Sequence, residues 1–453
     1  MNSKQTIAQQ LGDWVSALRY EDLPPDVIAS AKLCLLDFIG VALRGATFPQ
    51  VAPVWALLDA LGGKPMATII GGHRTSLPYA ALANGTFGDS CEFDDSHFHG
   101  GHPGVCVIPA ALATGEQEGI DGKALITAIV AGYQVMICSV GPIHRRTLDL
   151  GWHGTKIGGV FGAAAATGKI LNLTSLELAN ALAVAASDAS GTMEYDQSGG
   201  EIKRFHAGLA SRSGVEAALL AAAGLTGPLT IYEGKRGIFR LFSEGKDPVV
   251  ERYWRGDFHI LETMFKLHPC AGTLHAAIDC VAQIQNEQQI LIDEIQQIEV
   301  GLVDWAIPHG AAIIEPTDVI SAQFSLAFSL GLQIATGAAA IDDFLNPAKW
   351  RDESIQTIAR KVRPIADPVP DNASELFARV TLTTNDGTVH EATQAAPRGF
   401  PTLPASPDEL KAKFRSVTAT ILPSEQADAL IAAIDELEMQ PDLAFVIDTF
   451  KSM

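Results

Sequence analysis

The pattern of apolar and polar positions along this chain changes texture once, near Pro269. Ahead of that point, apolar residues recur at helical spacing. In DLPPDVIASAKLCLLDFIGVALRG, from Asp22, the residues Ile28, Ala31, Leu35, Ile39 and Ala42 fall on one helical face; an acid and two prolines open the segment, and Gly45 follows the last apolar turn. The same spacing predicts helices over Asp121–Ser139, Ser175–Ala189 and Ser213–Gly224. All are alanine-rich and mostly uncharged, so neighbouring helices can approach closely. Past Pro269 the segments shorten. IEVGLVDW, from Ile298, is rich in β-branched residues, and ARVTLTTNDGTVHEATQ alternates about an Asn385-Asp386-Gly387 turn, which signals a hairpin. A helical pattern over Ser321–Ala339 lies between these strands, so a smaller α+β portion follows a helical body. PRGFPTLPASPDE then reads as a linker, and two helices, from near Asp408 and Ser424, close the chain.

Composition narrows the classes. At roughly 150 residues per domain, 453 residues allow two or three domains. A hydrophobic fraction of 47% against 19% charged residues excludes a disordered chain. Thirty-two Lys and Arg against 52 Asp and Glu give a net charge of −20, which disfavours nucleic acid and anionic membranes as partners. Six cysteines without a CxxC pair suit a reducing compartment, and MNSKQTIAQQLGDWVSAL has no secretory core, so a cytoplasmic location is expected. The uncharged run Ala124–Ile143 has the length of a membrane span, but its Gly, Gln and Ser content fits a buried helix.

GAAAATGKI, from Gly162, fails as a phosphate loop: five residues separate Gly162 from Gly168, and Ile170 follows Lys169 where a hydroxyl is needed. No GxGxxG follows a strand and no GxSxG elbow occurs. What stands out is CEFDDSHFHGGHPG, which places Glu92, Asp94, Asp95, His97, His99 and His102 within eleven residues between apolar helices. Three readings compete: a metal site, a solvated loop capping two helices, and an acid/base site in which carboxylates orient imidazoles. The spacing lacks HExxH or a histidine pair at four residues, and the acid/base reading is preferred. GWHGTKIGG puts Trp152, His153 and Thr155 at a helix start; EIKRFHAG brings Lys203, Arg204 and His206 just ahead of the Ser213 helix; FKLHPCAGTLH carries Lys266, His268, Cys270 and His275. The last two supply the cations an anionic ligand needs inside an acidic protein, which suggests an interdomain carboxylate site.

At these residues the chain resembles the MmgE/PrpD family, which includes 2-methylcitrate dehydratase, cis-aconitate decarboxylase and iminodisuccinate epimerase. The resemblance is carried by FDDSHFHGGHPG, GWHGT with GAAAATGKILNL, KRFHAGLASRSGVEAALLAAAGLTGP, FKLHPCAGTLHAAID and AQFSLAF, in that order over nearly the whole length. It implies a mostly α large helical domain, residues 1–265 and 400–453, with a smaller α+β lid domain over 266–399. It further implies a homodimer acting on a small di- or tricarboxylate without organic cofactor; no metal is expected. Carried over by position, it assigns Asp94, His102, His153, Lys203 and Lys266 as catalytic residues, with His97, Thr155, Arg204 and Cys270 as substrate-binding neighbours. One departure stands against decarboxylation: the tyrosine of that branch is missing from AQFSLAFSL, which offers Phe324, Leu326 and Phe328.

The family's reactions share proton removal from carbon beside a carboxylate, whose enolate needs electrostatic stabilisation. On this reading Lys203 and Lys266 hold carboxylates or developing negative charge, His102 and His153 exchange protons, and Asp94 orients an imidazole. Dehydration of a hydroxy polycarboxylate is the first expectation and epimerisation of an amino-polycarboxylate the second; hinges are expected at Pro269 and near Pro397.

Overall fold

The computed structural model describes residues 5–246, 248–254, 256–288 and 290–452. It is 59% helical with 9% strand, a mostly helical fold with a smaller α+β part. The chain forms two compact units. One comprises residues 1–192, 203–264 and 406–453, the other residues 193–202 and 265–405.

In the first unit the predicted helix from Asp22 is Pro25–Ala46, with Pro25 in its first turn. Gly45 does not cap it. The helix runs past Gly45, and Cys34 to Leu43 are buried on every face rather than along one stripe, because other helices enclose it. Gly122–Val140 takes its N-cap from Asp121, whose side chain accepts the Ala124 amide at 2.8 Å. The stretch Gly122–Asp149 is long and apolar enough to span a membrane by length and composition, but 94% of its most apolar window is buried inside the protein, as in a core helix. The Ser213 helix starts eleven residues early: Ile202–Ala222 is one helix, so Lys203, Arg204 and His206 lie inside its first turns rather than ahead of them. Pro407–Thr418 and Ser424–Asp435 both pack on Pro25–Ala46, and a third closing helix, Ala444–Lys451, was not expected from the sequence.

One crossing sets the geometry of this unit's polar centre. A Cβ on Gly208 would lie 2.3 Å from the Leu82 carbonyl, so only glycine admits the helix Leu77–Asp89 so close to Ile202–Ala222. The contact brings the last residue of one helix, Asp89, to the first turn of the other, where Lys203 stands.

The second unit holds a four-stranded sheet in the order Val362–Ala366, Ile295–Leu302, Ala378–Thr384, Val389–Gln394. The first pair is parallel and the others antiparallel, and the last two strands form the predicted hairpin around Asn385-Asp386-Gly387. Ala378, Val380, Leu382 and Thr384 are buried on one face, where His275–Glu287 packs. The helix expected over Ser321–Ala339 is two, Val319–Gln323 and Leu326–Thr336, because Ser325 breaks off to donate to the Ile313 carbonyl and cap the Phe328 amide. Residues 193–202 belong to this unit through ties that no change of texture announces. His309 meets Asp196 at 2.8 Å, Gln197 donates to the Pro308 carbonyl, and the Gly200 amide donates to Asp318.

Candidate active site

The acidic loop is drawn onto the start of a neighbouring helix. Gly101, at φ 80°, lies where any Cβ would meet Thr155 Oγ1 at 2.4 Å, so the loop touches the first turn of Gly154–Ile170. Thr155 Oγ1 accepts the His102 amide there at 3.2 Å. Asp94, buried, accepts from His102 Nδ1 at 2.9 Å. The donor is then Nδ1–H, and His102 Nε2 is left with the lone pair of a base. The carboxylate fixes the orientation of the ring.

His153 occupies the N-cap position of Gly154–Ile170, held by its amide to the Gly191 carbonyl at 2.9 Å. Its ring centroid is 6.4 Å from that of His102, and its Nδ1 lies 3.0 Å from His206 Nδ1. Burial first, then His206, Lys203 and His102, hold the His153 imidazole well below the usual histidine range. Burial also brings His206 down to about 4, with Lys156 and Lys203 adding to the effect. Both rings are therefore neutral near pH 7.

Lys203 is 1% exposed, and its ammonium is bound by Asp89 at 2.6 Å and by Glu92. Burial pushes the Asp89 carboxyl up to about 6 against the pull of Lys203. The expected carboxylate holder thus already carries two carboxylates, and an arriving anion must displace one or meet it protonated. Asp89 was missed in the sequence because it ends the apolar helix LPYAALANGTFGD with no charged neighbour to mark it. Lys156, also missed, is buried and donates to the Asp188 carbonyl at 2.6 Å, with burial bringing it down to about 8.

Other members of the dense loop serve different ends. Asp95 accepts from the Tyr133 hydroxyl at 2.5 Å and the Gly104 amide at 2.9 Å, and burial raises it to about 7. It ties the loop to two helices. Arg204 donates to the Ser90 carbonyl at 3.4 Å. Lys413, from the closing helices, donates to the Phe93 carbonyl at 2.5 Å and to Asp37 at 2.6 Å.

His97 turns toward Glu262, with 3.3 Å between its Nε2 and the carboxylate. Ser96 and His97 also pair in antiparallel register with Met264 and Thr263. Among the described residues, His97, His259 and Glu262 form one group with the spacing for a metal ion, and Asp89, Asp94 and His102 another. His97 Nδ1 accepts the His99 amide at 3.1 Å, which puts the ring hydrogen on Nε2, the nitrogen facing Glu262. In the other group Asp89 shares the Lys203 ammonium with Glu92.

Lys266 and Cys270 belong to the second unit and are buried there. The loop carrying them is tied to the AQFSLAF block: the Ala271 amide donates to the Gln323 carbonyl at 2.9 Å, and the Gln323 side chain to the Pro269 carbonyl at 3.1 Å. His268 donates to Asp279 at 2.9 Å, and His275 to the Cys270 carbonyl at 3.2 Å. The structure thus gathers Asp94, His102, Thr155, His153 and Lys203 in the first unit, with Arg204 on adjoining backbone and His97 in a group of its own.

The MmgE/PrpD N-terminal domain matches residues 9–251, and the MmgE/PrpD C-terminal domain matches residues 268–439. The chain belongs to the MmgE/PrpD family. It is 26% identical to a cis-aconitate decarboxylase-like protein of Aspergillus oryzae, with 97% of this chain and 96% of that protein covered. Against the cis-aconitate decarboxylase of Aspergillus terreus it is also 26% identical, with 96% and 94% covered. Against that of Homo sapiens it is 24% identical, with 99% and 95% covered.

Proposed function

We propose that this protein is a lyase that removes a proton from carbon beside a carboxylate and eliminates water from a hydroxy polycarboxylate. The observation that carries the reading is the Asp94–His102 pair, a base with its lone pair fixed on Nε2, beside a second neutral imidazole and a buried ammonium. His102 takes the α-proton and returns it to the departing hydroxyl, which neutral His153 engages by a hydrogen bond, so that a C–H and a C–O bond break, a C=C bond forms, and water leaves. Lys203 steadies the enolate charge. Asp89, at about 6, takes up a proton more readily than an ordinary carboxylate, which eases entry of a polyanion into a protein of charge −20.

A second reading, decarboxylation of cis-aconitate, is favoured by the names of the relatives. Against it stands Phe324, which has no hydroxyl and packs on Tyr195 and His309. Proton NMR in deuterated water separates the readings, with citrate, 2-methylcitrate, cis-aconitate and iminodisuccinate each given to the chelator-treated enzyme. New alkene signals from a hydroxy acid support dehydration. Loss of a carboxylate from cis-aconitate replaces it with decarboxylation. Deuterium entering iminodisuccinate without alkene makes the protein an epimerase, and no change in any sample removes all three.

A further inference from the structure

A neutral imidazole has one N–H and one lone pair, and whatever engages one nitrogen decides the state of the other. His153 and His206 meet Nδ1 to Nδ1 at 3.0 Å. Two lone pairs at that distance repel and two hydrogens collide, so one ring donates and the other accepts. If His206 donates, His153 keeps its hydrogen on Nε2; if His206 accepts, His153 Nε2 is a bare lone pair. The state of the reacting nitrogen is thus written by a residue that need never touch substrate.

Three observations give the pair this control. His206 lies one turn beyond Lys203 on Ile202–Ala222, so a single helix delivers both. His153 is pinned at its backbone by the Gly191 carbonyl, and the Trp152–Thr192 bridge holds the preceding residue. The charged and titratable groups acting on the two rings, Lys156, Lys203, His102 and Glu92, are mostly cationic or neutral, so neither ring readily gains a second proton and loses its acceptor.

We infer that His206 is a positioning residue that selects the tautomer of His153 and so decides whether that ring presents a hydrogen or a lone pair to the reacting groups. This rests on the proton chemistry proposed above, and the test separates the two. Histidine-selective nitrogen-15 NMR on the full-length protein reports which nitrogen of His153 carries hydrogen. In the wild type one tautomer should persist across neutral pH. In His206→Phe both should exchange, kcat should fall about 100-fold, and KM should move less than about threefold. His206→Asn, which can still donate or accept, should recover at least about tenfold of that loss. Should the phenylalanine variant not fold, His206→Ala gives the same readout. An unchanged His153 tautomer in the variant overturns the inference whatever the turnover. A changed tautomer in an enzyme inert toward every polycarboxylate supports it and overturns the proposed reaction instead.

Discussion

Two buried ammonium groups grip the acidic loop, and they differ in company rather than in burial. Lys413 holds the Phe93 carbonyl and Asp37, with its charge 4.0 Å from the centre of the Phe93 ring. Lys203 holds Asp89 and Glu92, and its charge also acts on His153 and His206. Around Lys413 a carboxylate, an aromatic ring and a backbone oxygen help to fix the loop. Around Lys203 stand two carboxylates and two neutral imidazoles, and burial among them raises Asp89 to about 6, toward a useful range. A buried charge alone marks structure; a buried charge among titrating neighbours marks chemistry.

The contrast can be broken by experiment. Lys203→Ala should lower turnover more than about 1000-fold, because the enolate loses its cation and two carboxylates lose their partner. Circular dichroism would confirm the fold, and turnover within about twofold of wild type would make Lys203 a tie of the Lys413 kind. Lys413→Met should instead lower stability by about 3 kcal/mol in urea titrations while leaving kcat within about tenfold. A catalytic loss matching that of Lys203→Ala would erase the distinction. His153→Gln should cut kcat about 100-fold with its melting temperature little changed, and wild-type turnover in that variant would reduce His153 to a structural role.

The smallest effect concerns pH. A free histidine protonates near about 6.5, and burial brings His206 down to about 4. Between these values the unfolded chain binds the proton that the folded one refuses, so stability falls as pH falls. The contribution over pH 6.5 to 4.5 is about 2 kcal/mol. Asp89 and Asp95, raised by burial to about 6 and about 7, slope the other way. The difference between wild type and His206→Asn in thermal melts isolates the histidine, and parallel slopes would show that the ring is not held neutral.

Periodicity disclosed most of the helical body, since Pro25–Ala46 and Gly122–Val140 carry their own spacing and start signals. The loop residues Asp94 and His102 were legible from density alone, because so much charge between apolar helices needs a purpose. What stayed hidden depends on distance along the chain. Asp89 acquires meaning only through the Gly208 crossing with Lys203, and Phe93 through a lysine 320 residues later. The early start of Ile202–Ala222 was masked because EIKRFHAG lacks an apolar stripe; its buried face is polar, presenting Lys203, Arg204 and His206. The paired histidines, 53 residues apart, carry no local signal of their meeting.

The tie from Lys413 to Phe93 also sets an order of events during synthesis. Domains tend to form as the chain emerges, amino-terminal parts first. Here the helix Pro407–Thr418, which completes the first unit and anchors the loop next to Asp94, leaves the ribosome after the whole of the second unit has been made. The nascent protein therefore carries its acids and histidines before the Lys413 tie to Phe93 can form. A chain released before residue 406 would lack that tie, with the loop held through Asp95, Thr155 and Lys203 to the earlier helices.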